Sequence, residues 1–266
     1  MTHVLIGLTA VAALLPAAVL PLYRAEVVGG RTFWALLAAA VAGPMAFVLA
    51  EIGGGWGGGL ALNLWVSIAA SAVLYFGLCV FIRAASGLAP LMLGYLAVLG
   101  LVAVGGQVAA GVPAGSYNLT GVLIVHIILS VVAYALATIA AVAGVAVLLK
   151  QRALKRKMSS RLARLLPAVA VADLFQVWLL TMAAGVLGVD ILAGMATQYA
   201  LTGTLLQFEH KTLFAILAFA VISILLLLHA GAGVRGRMAA RGVLMGYLLL
   251  TLGYPGVKFV SEVLLA

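Results

Sequence analysis

The chain has 266 residues, of which 66% are hydrophobic and only 8% are charged, whereas soluble domains average about 25% charged residues. Together with a mean hydropathy of +1.29, this composition excludes a soluble globular fold and a disordered chain. The length suffices for about eight apolar helical spans of about 20 residues each, so we expect residues 1–266 to form one integral membrane domain without a soluble catalytic domain.

Eight apolar runs, bounded by charged residues, glycine clusters or turn residues, predict transmembrane helices. In chain order they cover residues 4–23, 33–50, 61–82, 87–111, 121–149, 166–188, 210–230 and 242–265. None of them has the period-two alternation of a barrel strand, and a helix satisfies its backbone hydrogen bonds within lipid. The first run lacks a basic segment before it, so we expect a span and not a signal peptide. The predicted fold class is all-α, a polytopic transmembrane helical bundle.

Basic residues concentrate in the odd-numbered connections between the predicted spans. They are Arg24, Arg31, Arg83, Lys150, Arg152, Lys155, Arg156, Lys157, Arg161, Arg164, Arg235, Arg237 and Arg241. The even-numbered connections, 51–60, 112–120 and 189–209, contain none. Because Lys and Arg collect in short cytoplasmic loops, we expect the odd connections in the cytoplasm and both termini outside. The net charge of +9 then needs no nucleic acid as a partner.

Two histidines near the starts of predicted spans are candidate ligands. His126 lies about five residues into the fifth span, on a face that continues through small and polar residues, Ser130, Ala133, Tyr134, Ala137 and Ala141. Such a face should pack against protein and not against lipid. His210 opens the seventh span, which runs in the same direction, so both imidazoles are expected near the outer boundary of the bilayer. Two imidazoles at one depth suit axial coordination of a haem iron.

Lys211 and Lys258 are the two basic residues outside the odd connections. Both are expected at the outer level, where cations would hold the haem propionates. An alternative for Lys258 is an ion pair with Glu262, four residues later.

The alternative is that neither histidine binds a ligand: His126 only packs in the bundle, and His210 only caps a helix. His229 lies 19 residues after His210, about 28 Å along the helix, so one iron cannot join them. His3 carries a still weaker signal. Asp173 is expected to pair with Arg83, Arg161 or Arg164, and the basic stretch 150–164 to be a charge cluster that fixes orientation.

Several stretches resemble a known family. They are His126-Ile-Ile-Leu-Ser130-Val-Val-Ala-Tyr134, the basic connection after it, Leu166-Pro167, Asp173-Leu-Phe-Gln176, His210-Lys211-Thr212 and Tyr254-Pro-Gly256-Val-Lys258-Phe-Val-Ser-Glu262. Over residues 120–266, with a looser echo at Leu62-Asn63-Leu64, the chain resembles the YpjD branch of the cytochrome c assembly (CcsA/HemX-like) membrane proteins. The resemblance implies an eight-span protein of the bacterial inner membrane that handles haem.

The resemblance stops short of the haem-delivering synthases of that superfamily. Their tryptophan-rich outer segment has no counterpart between His126 and His210, and the even connections are short. We therefore expect a protein that binds haem b through His126 and His210, with Lys211 and Lys258 beside it. We do not expect it to attach haem to apocytochrome c. The rival hypothesis is a haem-free membrane scaffold or regulatory subunit that docks a cytoplasmic partner through residues 150–164. A transporter ranks third, because no convincing repeat relates the two halves.

Overall fold

The computed structural model describes residues 2–52, 59–109, 120–204 and 210–260, and no β-strand occurs within these ranges. Its helices are α1 (Thr2–Tyr23), α2 (Arg31–Ile52), α3 (Leu60–Phe81), α4 (Ala89–Ala109), α5 (Gly121–Lys155), α6 (Arg161–Leu165), α7 (Val169–Thr202), α8 (His210–Ala232), α9 (Arg237–Thr251) and α10 (Val257–Phe259). A π-helical segment, Leu252–Gly256, joins α9 to α10, and short 3₁₀ turns precede α2 and α4.

Within the described ranges, eight helical segments are long and apolar enough to cross a membrane. They are α1 to α5, α7, α8 and the continuous stretch from α9 to α10, with α4 extended by the preceding 3₁₀ turn. The prediction of an all-α bundle with about eight spans is therefore confirmed.

The predicted ends of the sixth and eighth spans were wrong. The sixth span was expected to end at residue 188, whereas α7 continues to Thr202, so most of the predicted connection 189–209 is helix. The eighth span begins at Arg237 and not at residue 242. In both places an ionisable residue, Asp190 or Arg241, looked like the edge of an apolar run although the helix continues through it.

The helices form two groups that meet through α3 and α5. In the first group, α1 packs on α2 and α4, and α3 packs between the same two helices. In the second group, α5 packs most extensively on α7 and also on α9, while α8 packs on α9 and α7. The second group carries both histidines that the sequence predicts as ligands.

Three tyrosine hydroxyls, those of Tyr95, Tyr134 and Tyr247, form a cluster between the two groups. The Tyr247 hydroxyl of α9 lies 2.6 Å from that of Tyr95 in α4, and it donates to the Tyr134 hydroxyl of α5 at 3.1 Å. The Thr138 hydroxyl donates to Tyr247 at 3.1 Å, and the Thr251 hydroxyl lies 3.4 Å from Tyr134. These bonds satisfy polar groups that would otherwise be costly inside the bundle, and they tie α4, α5 and α9 together.

We expect Tyr247→Phe to lower the free energy of unfolding by about 1–2 kcal/mol. It removes several interhelical hydrogen bonds, each of which contributes about 0.6 kcal/mol in a membrane protein. The measurement is equilibrium unfolding in detergent micelles, with Tyr199→Phe as the control, because Tyr199 is 58% exposed on α7. Equal stability of the two variants would show that the tyrosine cluster contributes little.

Candidate functional site

The position of His126 is fixed by the start of α5. The helix begins at Gly121, and the hydroxyl of Thr120 accepts a hydrogen bond from the Leu123 amide at 3.4 Å. His126 is therefore in the second turn. Lys150 follows it after 24 residues (150 − 126) in the same helix, which is about 36 Å at about 1.5 Å per residue. The hydrocarbon layer is about 30 Å thick, so these two residues lie near its opposite boundaries.

The small-residue face that follows His126 packs against protein, as the sequence predicts. Ala133, Ala137 and Ala141 are each at most 3% exposed. A Cβ added at Gly144 would lie 3.1 Å from Gln176 Oε1 of α7. Small side chains let two membrane helices approach closely, and this approach brings polar groups of α7 onto the α5 face.

Opposite His126, α7 presents a buried carboxylate. Asp190 is only 6% exposed, and its Oδ1 lies 2.8 Å from His126 Nδ1. One turn further along α5, the Ser130 hydroxyl donates to the two carboxylate oxygens at 2.9 and 2.8 Å. A carboxylate inside a membrane bundle is costly unless it is paired, and here an imidazole and a hydroxyl from one helix face share it.

The contact between His126 and Asp190 involves one ring nitrogen. Nδ1 is enclosed and lies 2.8 Å from the carboxylate oxygen, although its N–H direction is not aligned on that oxygen as a hydrogen bond. The ring as a whole is partly open, with 32% of the side chain exposed.

Gly194 leaves the space that the imidazole occupies. It lies one turn after Asp190 in α7, and a Cβ at this position would lie 3.1 Å from His126 Cε1 and 3.7 Å from Nε2. The ring therefore rests against the backbone of α7. Any larger residue at 194 would press on it.

The π-helical segment 252–256 packs beside α5 at Tyr134, about two turns after His126. Pro255 has no amide hydrogen and cannot complete the regular helical hydrogen bonding, and single-turn π segments often occur at functional sites. The ring of Tyr254 packs on that of Tyr134, with centroids 6.1 Å apart. The segment thus lies against α5 on the side of α9.

α8 reaches the same segment through its first turns. A Cβ added at Gly253 would lie 2.7 Å from Phe214 Cβ and 3.7 Å from the Lys211 carbonyl oxygen. His210 is the first residue of α8, and both His210 and Lys211 are exposed. No hydrogen bond or ring contact joins His210 to His126, both of which the structure describes. The two predicted ligands are therefore at one end of the bundle without direct contact.

Lys258 lies in α10, half-buried, and it takes part in an interaction within the structure. Its alternative partner Glu262 lies outside the described residues. No group of three or more His, Cys, Asp or Glu side chains suited to a metal ion occurs in the described part of the chain.

The remaining ionisable candidates have structural partners. His3 Nδ1 lies 3.0 Å from Glu51 Oε2 on the surface, and His229 Nδ1 lies 2.8 Å from the Val234 carbonyl oxygen in the turn after α8.

The expected ion pair of Asp173 with an arginine was wrong. The carboxylate accepts hydrogen bonds from the Gln176 side chain and, at 2.9 Å, from the Gly236 amide. The carboxylate thereby accepts a hydrogen bond at the N-terminus of α9, where a negative charge is favourable. Arg161, one of the expected partners, stacks over the Tyr23 ring instead, 5.5 Å from its centroid.

The sequence analysis missed Asp190 as a member of the candidate site. It assigned residue 190 to an outer connection, where a carboxylate needs no explanation. The available signal was the length of the apolar run, which continues through Ile191 and Leu192 to Ala200. An Asp within a span is a functional hypothesis by default, so a longer sixth span would have drawn attention to it.

We expect Gly194→Ala to be less stable than Gly185→Ala by about 1 kcal/mol or more. Both substitutions lie in α7 and gain the same helix propensity, but a Cβ at 194 presses on the imidazole, whereas none of the surrounding atoms lies within 4 Å of a Cβ at 185. Overpacking of this kind costs about 1–3 kcal/mol. Thermal unfolding of both proteins in one detergent measures the difference. Equal stability would mean that the ring moves away freely.

Comparison with known proteins agrees with this architecture. Residues 58–265 match the family described as "Cytochrome C assembly protein". The chain is also similar to a protein of Azospirillum brasilense described as "Uncharacterized 28.8 kDa protein in nifR3-like 5'region", with 46% identity over 99% of this chain and 98% of the relative. No solved structure matches it significantly. This chain therefore belongs to the cytochrome c assembly protein family.

Proposed function

We propose that this protein binds haem b in the bacterial inner membrane, with His126 and His210 as axial ligands near the outer leaflet. It would hold or present haem during cytochrome c assembly, and family membership supports a role in cytochrome c biogenesis. The observation that carries the haem proposal is the position of both imidazoles at one end of two helices, α5 and α8, which both contact the segment 252–256.

The residues present fit an iron porphyrin in their chemistry. Imidazole is a common axial ligand of haem iron. The Nδ1 of His126 faces Asp190, so its Nε2 is the nitrogen that remains for iron. His210 is exposed at the start of α8, and the apolar side chains of the surrounding helices would keep water from the macrocycle.

Lysines at the same end of the bundle would hold the propionates. Lys211 is exposed and directly follows His210, while Lys258 lies in α10, just after the segment that contacts α5 and α8. These two lysines lie outside the odd-numbered connections, so the preference of Lys and Arg for cytoplasmic loops does not explain them. A cation at the membrane boundary compensates a carboxylate at modest cost.

With His126 and His210 both holding the iron, the bound group would supply electron transfer or simply be carried. The chain's part would be to hold the iron through these imidazoles, to exclude water with its apolar side chains and to neutralise the propionates. No residue of this site acts as a nucleophile or as a general acid in the proposal, and we do not assign the protein an enzymatic reaction.

A second candidate function is a haem-free scaffold that docks a cytoplasmic partner through residues 150–164. Three consecutive basic residues, Lys155, Arg156 and Lys157, are exposed. Lys150 is less available, because its ammonium group donates to the Ala163 and Leu166 carbonyls. The exposed triplet is the observation that favours this alternative.

We expect the purified protein to show the sharp Soret and α bands of low-spin haem. His126→Ala and His210→Ala should each abolish or convert these bands, because each removes one axial ligand. The matched controls are His3→Ala and His229→Ala, whose rings have other partners and whose spectra should match that of the parent.

A colourless parent protein would contradict the proposal. So would unchanged spectra in both ligand variants. If the colourless protein instead retains a partner that is lost when Lys155, Arg156 and Lys157 are replaced by Gln, the scaffold function is favoured.

We expect the ends of α7 and α8 nearest the two ligands to face outward. In a Cys79→Ala background, a membrane-impermeant maleimide should label Thr204→Cys in intact cells and should label Ser159→Cys only after lysis. Both positions are exposed, and the native Cys79 is buried. The reverse pattern would put the ligands at the cytoplasmic face and overturn their placement near the outer leaflet.

A further inference from the structure

We propose that Asp190 is a positioning residue for His126. It would hold the imidazole with its proton on Nδ1 and direct Nε2 to the iron, and its negative charge would favour the ferric state. This inference rests on the proposed haem function, but its central claim concerns this chain's own residues. Neither the family description nor the relative assigns Asp190 a role.

The first step is the burial of the carboxylate. At 6% exposure within a membrane-spanning helix, an unpaired charge would be unfavourable. The described contacts of Asp190 that compensate this cost come from one face of α5, namely the Ser130 hydroxyl and His126 Nδ1. A purely packing role for His126 does not need a carboxylate in this position.

The second step is the geometry of the imidazole. Ser130 contacts both carboxylate oxygens, at 2.9 and 2.8 Å, and so restrains the carboxylate. The carboxylate lies 2.8 Å from Nδ1, while Gly194 lets the ring edge rest on the backbone of α7. The ring is thus placed by two contacts from α7, and Ser130 of α5 restrains the carboxylate that makes one of them.

The third step is the tautomer. The proton of a neutral imidazole resides on the nitrogen that faces an acceptor, and the other nitrogen keeps its lone pair. With Nδ1 against Asp190, the lone pair is on Nε2. A carboxylate behind a ligating histidine fixes its tautomer and raises its basicity. A more basic ligand and a nearby negative charge both favour ferric over ferrous iron.

The first experiment is a spectroelectrochemical titration of the haem-loaded protein. Asp190→Asn keeps the shape and removes the charge, and at a fixed potential it should lower the ferric-to-ferrous ratio by roughly tenfold, or about 59 mV for one electron. The matched control is Asp173→Asn. Asp173 is another α7 carboxylate, 17 residues away (190 − 173), or about 26 Å along the helix, and its partners are Gln176 and Gly236.

Equal ratios in the two variants would overturn the inference while leaving haem binding intact. If Asp190→Asn fails to fold, as judged by its elution on size exclusion, Ser130→Ala replaces it. That change removes the hydrogen bonds that orient the carboxylate and partly compensate its charge, and we expect it to change the ferric-to-ferrous ratio by a smaller factor than Asp190→Asn. No shift in Ser130→Ala would again overturn the inference.

The second experiment needs no haem. In protein prepared without haem and labelled with ¹⁵N-histidine, the signals of His126, assigned by their loss in His126→Ala, should report a proton on Nδ1 and a bare Nε2. Asp190→Ala should convert them to a tautomer mixture. A proton on Nε2 in the parent protein would overturn the inference even if haem binds. A protein that never takes up haem but shows the Nδ1 tautomer would instead overturn the proposed function.

Discussion

The close packing of α5 on α7 is the contact on which the candidate site depends. Lipid gives two membrane helices no hydrophobic reason to associate, so close approach of small residues and interhelical polar contacts must hold them. The alanine face of α5 provides the approach. At one end of the interface, Gln176 packs against Gly144 so closely that a Cβ there would lie 3.1 Å from its Oε1 atom. At the other end, His126 packs equally closely against Gly194.

The two ends together fix the register of the interface. A shift of α7 by one residue moves each side chain by about 1.5 Å along the axis and 100° around it, which would separate Asp190 from both His126 and Ser130 and expose a charge to lipid. The carboxylate is thus compatible with one alignment of the helices. Asp190 stabilises the packing only in this alignment, and the same residue is proposed to orient the imidazole of His126. The packing of the two helices and the proposed function therefore depend on the same carboxylate.

Charge and hydropathy patterns were sufficient to predict most of the fold. The starts of α5 and α8, at Gly121 and His210, were predicted to the residue because each follows a polar stretch, and helical spacing predicted the buried face after His126. The patterns failed where a tertiary partner changes the meaning of a residue. Asp190 ended an apolar run in the sequence, but pairing with His126 and Ser130 lets α7 continue through it.

The partner of Asp173 shows the same limit in another form. The sequence offered three arginines as partners, and simple charge matching favoured any of them. The carboxylate instead accepts a hydrogen bond from the Gly236 amide. Every residue except proline has such an amide, so the sequence does not show which one will be the partner. Charge counting therefore does not predict individual contacts, and the orientation that it predicts for the connections stays a prediction.

The segment from Leu252 to Gly256 is a shared neighbour of the two helices that carry the predicted ligands. α5 meets this segment through the Tyr134 ring and α8 meets it through Phe214, so a single turn of irregular helix contacts both. Pro255 prevents that turn from becoming regular. If His126 and His210 hold the proposed haem, each would do so from a helix that packs against this turn, and the close approach at Gly253 leaves α8 little room to move toward it.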